Sequence, residues 1–288
     1  MCATPIGNLS DITLRVLETL KGVDLIAAED TRHTIKLLNH YDIKTKMTSY
    51  HEYNKYDKAK ELVEEMLQGK NVALVTDAGT PGISDPGEEL VRAAYGAGIE
   101  VTSLPGACAL PVALSISGIS SRRFVFEGFL SGEKKEREKA LARLKNETRT
   151  IVLYEAPHHL LKTLKDLYET LGERKISICR ELTKIHEQVM PFSLTQAIDF
   201  FEKEEPKGEM VLVIEGLSEE ELKEEERRAF ADMSIEEHMA MYLKEGISEK
   251  EAMKRVAAER GISKREVYSA VKIQDTQEQA VLETEKLY

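Results

Sequence analysis

The chain is poor in cysteine: Cys2, Cys108 and Cys179 are its three, and they lie far apart. That excludes a disulfide framework and a paired-cysteine zinc site, and it points to a reducing, cytoplasmic setting. No stretch approaches the roughly 20 consecutive apolar residues of a membrane helix, and the N-terminus does not read as a signal peptide. Positive charge is in the minority, with 40 Lys and Arg against 51 Asp and Glu and a net charge of −11. Such a chain is no non-specific nucleic-acid coat, although a local basic surface remains compatible with it. Several common motifs are missing too. Without G-x-G-x-x-G there is no Rossmann dinucleotide loop and no glycine loop of the common methyltransferases. Without G-x-x-x-x-G-K-[ST] there is no P-loop. H-E-x-x-H, metal-spaced His/Cys sets and the G-x-S-x-G nucleophile elbow are equally absent. His158 and His159 are adjacent and therefore a poor metal pair.

What is present is a chain of 288 residues, 42% of them hydrophobic, enough for two domains and an appendage. Residues 72–87 organise it. Val72 to Thr76 read as a buried strand, and Asp77 to Gly87 then form a loop crowded with Gly and Pro, which neither helix nor strand accommodates. Glu88 and Glu89 open the next helix. A loop at the carboxyl end of a buried strand is where open α/β sheets bind ligands.

The same punctuation recurs along the chain. Pro5 and Gly7 make a tight loop, with Ser10 or Asp11 placed to cap a helix. Almost nothing precedes Ala3, so the strand expected before that loop is absent or the start is truncated. Val23–Ala28 is a strand delivering Glu29, Asp30, Thr31, Arg32 and His33 to its end, either as a site or as a helix cap. Met47–Tyr50 is a short strand leading to His51, Glu52, Tyr53 and Asn54, followed by an amphipathic helix over 55–68. A helix over 88–97, a strand over 100–104 and a Pro105-Gly106 turn into a helix of small residues complete a parallel βαβα pattern.

Gly118–Ser121 reads as a linker. Strands are predicted over 124–130, 150–154, 175–179 and 208–215, with 187–190 pairing antiparallel. Residues 131–147 form a charged, exposed loop and helix with six basic residues, Arg137 among them, against four acidic. Residues 218–228 read as an acidic linker. Three capping boxes follow, Ser234/Glu237, Ser248/Glu251 and Ser263/Glu266, with Gly246 and Gly261 as stops. They predict a helical module over 230–288 with a turn like helix-turn-helix, whose residues 248–272 hold seven basic and four acidic residues. Either it packs as an appendage or it contacts nucleic acid. The predicted architecture is thus α/β: one α/β domain over 1–117, a second over 118–217, and a small C-terminal helical module.

Taken in order, the runs Ala3–Thr13, Ala28–Thr34, Thr76–Gly87, Leu104–Ala107, Glu127–Leu130, Tyr154–His158 and Arg180–Lys184 resemble the ribosomal RNA small-subunit methyltransferase I family. That family belongs to the tetrapyrrole-methylase, or class III, superfamily. The resemblance implies S-adenosylmethionine as methyl donor and a cytidine ribose 2′-hydroxyl in the decoding region of small-subunit ribosomal RNA as acceptor. It also implies a homodimer acting on the RNA or the 30S subunit, with a cofactor cleft between the two α/β domains. By resemblance, Pro5, Gly79, Gly82, Ile83, Ala107, Cys108, Tyr154, Glu155, Leu182 and Met210 surround the donor. A ribose hydroxyl needs a base nearby, for which Asp30, Glu155 and His51 are candidates, while Arg32 suits a phosphate. The alternatives are a small-molecule methyltransferase of the same superfamily and a non-catalytic cofactor- or RNA-binding protein.

Overall fold

The computed structural model describes residues 1–218, 220–222, 224, 230 and 233–272. Its contacts divide into two units, Met1–Gly216 and Leu217–Tyr288. Most of the acidic stretch 218–228 and the whole tail beyond 272 lie outside the described residues.

The first unit opens with α1 (Leu14–Gly22), β1 (Leu25–Ala28), α2 (Thr31–His40), β2 (Met47–Ser49), α3 (Lys55–Leu67), β3 (Val72–Val75), α4 (Gly87–Gly96) and α5 (Ala109–Ile116). The three strands form a parallel sheet in the order β2-β1-β3. Successive strand residues point to opposite faces, and the burial follows. Ile26, Ala28, Ala73 and Val75 pack with Val16, Leu20 and Leu38 of α1 and α2. Ala27 and Leu74 pack with Ala59, Leu62 and Leu90 of α3 and α4. Helices therefore cover both faces, as a parallel sheet requires.

The strand missing from the front of the chain is present in rudimentary form. The Cys2 N–H donates to the Leu74 carbonyl and the Leu104 N–H to the Met1 carbonyl, both at 2.9 Å. Thr4 and Gly79 exchange both backbone hydrogen bonds, at 2.9 and 3.1 Å. Residues 1–4 thus lie between β3 and the 100–104 segment. That segment, expected as a strand, forms no ladder among the described residues and is bridged to Cys2 at Leu104. The helix start also differs from expectation. Asn8 caps a single 3-10 turn over Leu9–Asp11, and Thr13 caps α1 through the Val16 N–H, so neither Ser10 nor Asp11 performs that role.

The rest of the unit holds β4 (Phe124–Phe129), α6 (Lys134–Leu144), β5 (Thr150–Glu155), α7 (Leu160–Leu171), β6 (Lys175–Arg180), β7 (Gln188–Ser193), α8 (Leu194–Phe201) and β8 (Met210–Ile214). Its mixed sheet runs β4-β5-β8-β6-β7, with β7 antiparallel to β6 as expected. One face packs Ile151, Leu153, Ile176, Ile178 and Leu212 against α6, α7 and α8. The other face presents Val152, Cys179, Val211 and Val213 to Ile6, Leu182, and Ala113 and Leu114 of α5. This second contact joins the two sheets and brings the first loop of the chain against the last strands.

Arg137 departs from the exposed helix predicted over 131–147. It is 7% exposed, with Nε 2.6 Å from Asp166 Oδ2 and Nη2 donating to Thr163 Oγ1 at 2.8 Å. Its position on α6 faces α7, and a guanidinium there is held by satisfying its donors.

The second unit contains α9 (Ile235–Lys244), α10 (Glu249–Arg260) and α11 (264–272). Met239, Ala252, Val256, Ala257 and Val267 form its core. The boxes at Ser234/Glu237 and Ser263/Glu266 form. The one expected at Ser248 does not: Ser248 makes no side-chain cap, and Glu251 turns instead toward Lys254.

Candidate functional site

The loop after β3 is held in shape by one carboxylate. Asp85 Oδ2 accepts from the Gly82 and Ile83 N–H groups at 2.7 and 3.2 Å, and Oδ1 accepts from Gly87 at 2.8 Å. Three residues of the loop lie in the left-handed region: Gly79 (φ +92°), Gly82 (φ +89°) and Ser84 (φ +64°). For Ser84 that conformation is a local cost that the surrounding hydrogen bonds sustain. The Thr80 hydroxyl donates to the Ala107 carbonyl at 3.0 Å, tying this loop to the 105–108 turn.

The opposite wall comes from the mixed sheet. Tyr154, next to last in β5, has its ring against Phe126 and Phe129, and its hydroxyl accepts from the Leu110 N–H at 3.2 Å. Burial, with Cys108 beside it, pushes that hydroxyl well above the ordinary tyrosine range. The loop after β6 carries two further left-handed residues, Glu181 (φ +51°) and Thr183 (φ +68°). Glu181 Oε1 accepts from Lys184 Nζ at 2.9 Å and from the Glu209 N–H at 3.1 Å. Gly7 makes this closure possible, since a Cβ there would stand 2.9 Å from the Leu182 carbonyl oxygen and 2.5 Å from Lys184 Cγ.

Between these walls lies a cavity of about 370 Å³. Of the residues singled out from the sequence, Gly79, Ile83, Cys108, Tyr154, Glu155, Leu182 and Met210 line it. Gly82 and Ala107 act one layer behind, through the bonds just described, and Ile6 lines the cavity where Pro5 was expected. Asp30, Arg32 and His51 are not among the lining residues. Asp30 caps α2 through the Arg32 N–H, and both its oxygens bind the Arg32 guanidinium, at 3.1 and 2.7 Å. The Arg32 hydrogen bonds hold the Asp30 carboxyl down at about 2, so it is a poor base. Of the two readings of the 29–33 cluster, the helix cap describes Asp30. His51 donates its backbone N–H to Asn54 Oδ1 in the turn before α3.

Glu155 does line the cavity, but its carboxylate is committed. It is 5% exposed, Oε1 accepts from the Ala156 N–H at 2.8 Å, and Oε2 accepts the Thr163 hydroxyl. Glu29, expected only as one of the 29–33 cluster, and Thr76, Asp77 and Asp85, expected only as part of the 72–87 stretch, line the cavity at the end of the parallel sheet. Their position at the carboxyl ends of β1 and β3 was the available signal. Glu29 Oε2 accepts the Thr76 hydroxyl at 2.6 Å, and Asp77 Oδ1 accepts the Asp30 N–H at 3.0 Å. Desolvation raises the carboxyl groups of both Asp77 and Asp85 above their ordinary value.

Residues 2–198 match the family described as Tetrapyrrole (Corrin/Porphyrin) Methylases. The chain is 49% identical over 269 residues to a ribosomal RNA small subunit methyltransferase I from Synechocystis sp., covering 93% of this chain and 95% of that one. It is 46% identical over 270 residues to its counterpart from Bacillus subtilis, covering 94% and 92%. The chain belongs to the ribosomal RNA small-subunit methyltransferase I family of the tetrapyrrole methylases. Solved structures agree on the fold alone. Diphthine synthase superposes with a TM-score of 0.58 at 14% identity, covering 77% of this chain and 92% of that one. Uroporphyrin-III-C-methyltransferase from Thermus thermophilus gives 0.53 at 18%, covering 74% and 91%.

The cavity of this tetrapyrrole methylase suits a methyl donor of the sulfonium type. Its size falls in the roughly 300–1,000 Å³ range of small-molecule sites. Its lining combines backbone and apolar groups with Glu29, Asp77, Asp85, Glu155, Glu181 and Glu209, against Lys184 as a cation. That balance favours a ligand carrying positive charge over a polyanion. No helix among the described residues is long and apolar enough to cross a membrane.

Proposed function

We propose that the protein transfers a methyl group from S-adenosylmethionine to the 2′-hydroxyl of a cytidine ribose in the decoding region of small-subunit (16S) ribosomal RNA. The proposal places it in the cytoplasm as a homodimer, with the domains at 1–117 and 118–217 enclosing the donor. The observation that carries it is the acid-lined cavity between the two sheets, in a chain whose relatives at 46–49% identity are named for methylation of small-subunit ribosomal RNA. The donor would rest on the Gly79–Ile83 and Ala107–Cys108 backbones, with Tyr154, Leu182 and Met210 opposite. Gly79 lines the cavity at φ +92°, a conformation that residues with a side chain rarely adopt, so its backbone faces the cavity bare. The donor supplies an already activated methyl group, and what the protein adds is alignment and removal of the acceptor's proton.

The second unit is proposed to hold RNA. Lys250, Lys254, Arg255, Lys264 and Arg265 are exposed on α10 and α11, Arg255 lies over the Tyr242 ring and Lys272 over that of the exposed Tyr268. Basic side chains next to an aromatic ring are the arrangement that grips a nucleic-acid backbone and stacks a base. The test uses small ribosomal subunits lacking the modification, labelled donor, and mapping of 2′-O-methyl groups by primer-extension stops. Label at one cytidine ribose is expected. Donor binding without transfer to RNA would favour a small-molecule acceptor or a non-catalytic role. Charge reversal at Lys250, Lys264 and Arg265 is expected to weaken subunit binding and leave donor affinity unchanged, and unchanged subunit binding would reduce the second unit to a packing appendage.

A further inference from the structure

The acceptor hydroxyl needs a base, and the hydrogen-bond pattern separates the carboxylates that could serve. Glu155 is buried with both oxygens occupied. Asp85 spends both of its oxygens on three backbone N–H groups of its own loop. Asp30 lies off the cavity and is clamped by Arg32. Glu181 is engaged by Lys184 and the Glu209 N–H at the far wall, where the Glu209 carboxylate also pairs with Lys184 at 3.3 Å. Two carboxylates remain at the parallel-sheet end, Glu29 and Asp77.

Their environments differ. Glu29 Oε2 already holds two groups of the loop, the Thr76 hydroxyl at 2.6 Å and the Asp77 N–H at 3.4 Å, whereas the Asp77 side chain accepts a single N–H. Asp77 is oriented from two sides. Its backbone N–H donates to Glu29, and its Oδ1 accepts the Asp30 N–H at 3.0 Å. Its Oδ2 receives no hydrogen bond among the described residues. Asp77 is only half-buried, so that oxygen remains accessible at the cavity wall.

We infer that Asp77 is the general base for the acceptor hydroxyl, with Glu29 as the positioning residue that holds its loop and supports its proton. The inference rests on the ribose-methylation reading. Asp77 Oδ2 takes the hydroxyl proton while the hydroxyl oxygen forms its bond to the methyl carbon. The sulfur–methyl bond breaks with its electron pair retained on sulfur, leaving a neutral thioether and a protonated Asp77. The groups around Asp77 favour that outcome. Burial raises its carboxyl above 3.8, and the charges of Glu29 and Asp30 add to this, while the Asp30 N–H and His33 oppose it. The Arg32 guanidinium also feels the Asp77 charge, but it is neutralised by its bidentate pairing to Asp30. A base near its working range is more effective than one held at the bottom of the carboxylate range.

The experiment compares wild type, Asp77→Asn and Glu29→Gln on 30S subunits lacking the modification, with single-turnover rates across pH, donor affinity by calorimetry, and carboxyl-carbon NMR titration of Asp77 in the donor-free protein. Asp77→Asn keeps an acceptor for the Asp30 N–H, so the loop is retained. Its rate is expected to fall by about 100-fold or more, the usual worth of a positioned base, with donor affinity and subunit binding unchanged. Gln at position 29 still accepts the Thr76 hydroxyl but removes a like charge. The NMR midpoint of Asp77 and the acidic limb of the rate profile are therefore expected to move together to lower pH. Survival of a tenth or more of the wild-type rate in Asp77→Asn with donor binding intact overturns the assignment. So does a Glu29→Gln variant that loses as much rate as Asp77→Asn while the Asp77 midpoint stays in place, which would make Glu29 the base. Absence of ribose methylation by the wild type overturns the acceptor reading and this assignment with it, whereas ribose methylation by the wild type with a tenth or more of that rate in Asp77→Asn overturns this assignment alone.

Discussion

Replacing Arg137 by Met removes one guanidinium and keeps most of its apolar stem. Two hydrogen bonds go with it, Nε to Asp166 Oδ2 at 2.6 Å and Nη2 to Thr163 Oγ1 at 2.8 Å. Removing one partner of a fully buried ion pair costs roughly 3–5 kcal/mol, because the other charge is stranded. Asp166 retains 25% of its side-chain exposure, so water recovers part of that loss. The Thr163 hydroxyl is fully buried but still donates to Glu155, so only its acceptor side is left empty, worth about 1 kcal/mol. Together these give a loss of about 2–4 kcal/mol. The chain has no tryptophan to report unfolding, so hydrogen exchange is the suitable assay. Protection in the β5, α6 and α7 peptides should fall by about 30- to 1,000-fold, at 1.4 kcal/mol per decade. The double variant Arg137→Met with Asp166→Leu should recover part of the loss, because it no longer strands a charge. A loss below about 1 kcal/mol, or a double variant no better than the single, would refute the reasoning that this is a buried and coupled pair.

Other positions give shorter tests. Val at Gly79 adds a β-branched side chain at φ +92° against Ile6 and Ala107, and is expected to abolish donor binding in calorimetry while the circular dichroism spectrum stays native. Arg32→Gln is expected to let the Asp30 carboxyl rise from about 2 toward its ordinary 3.8, read by carboxyl NMR, with no loss of donor affinity. In the second unit, His238 is fully buried, its Nδ1 accepts from Arg260 Nε at 3.1 Å, and burial holds its imidazole below the ordinary 6.5. A depressed histidine contributes stability that is present above 6.5 and is lost as pH falls through the folded-state value. Protection factors in α9 and α10, corrected for the intrinsic pH dependence of amide exchange, should therefore fall on acidification below pH 6.5, and a flat profile would contradict the burial argument.

Much of the fold was readable because it rests on local rules. The apolar runs 72–75, 150–155 and 210–214 are buried strands, the Gly and Pro punctuation marks where they turn, and the 3.6-residue spacing over 55–67 is a helix. The glycine loop at 76–87 announced itself the same way, since positive φ at Gly79 and Gly82 demands that residue type. Membership of the family was legible from the ordered motifs.

Assigning chemistry to the carboxylates was not. Asp30 and Asp77 both follow strands, and of the two only Asp30 read as a candidate base, yet Asp30 is locked by an arginine two residues away and Asp77 lines a cavity. Arg137 sits in a run of exposed charges and is buried, because its α6 position faces Thr163 and Asp166, 26 and 29 residues away in the chain. Sequence periodicity fixes which face of an element is apolar, because that follows from dihedral angles within a few residues. Whether a polar group on that element is base, cap or buried anchor depends on partners brought together from distant segments. Only the tertiary structure places Ile6 against Leu182 and Glu29 beside Asp77, and so decides which of the chain's many acids can meet a substrate.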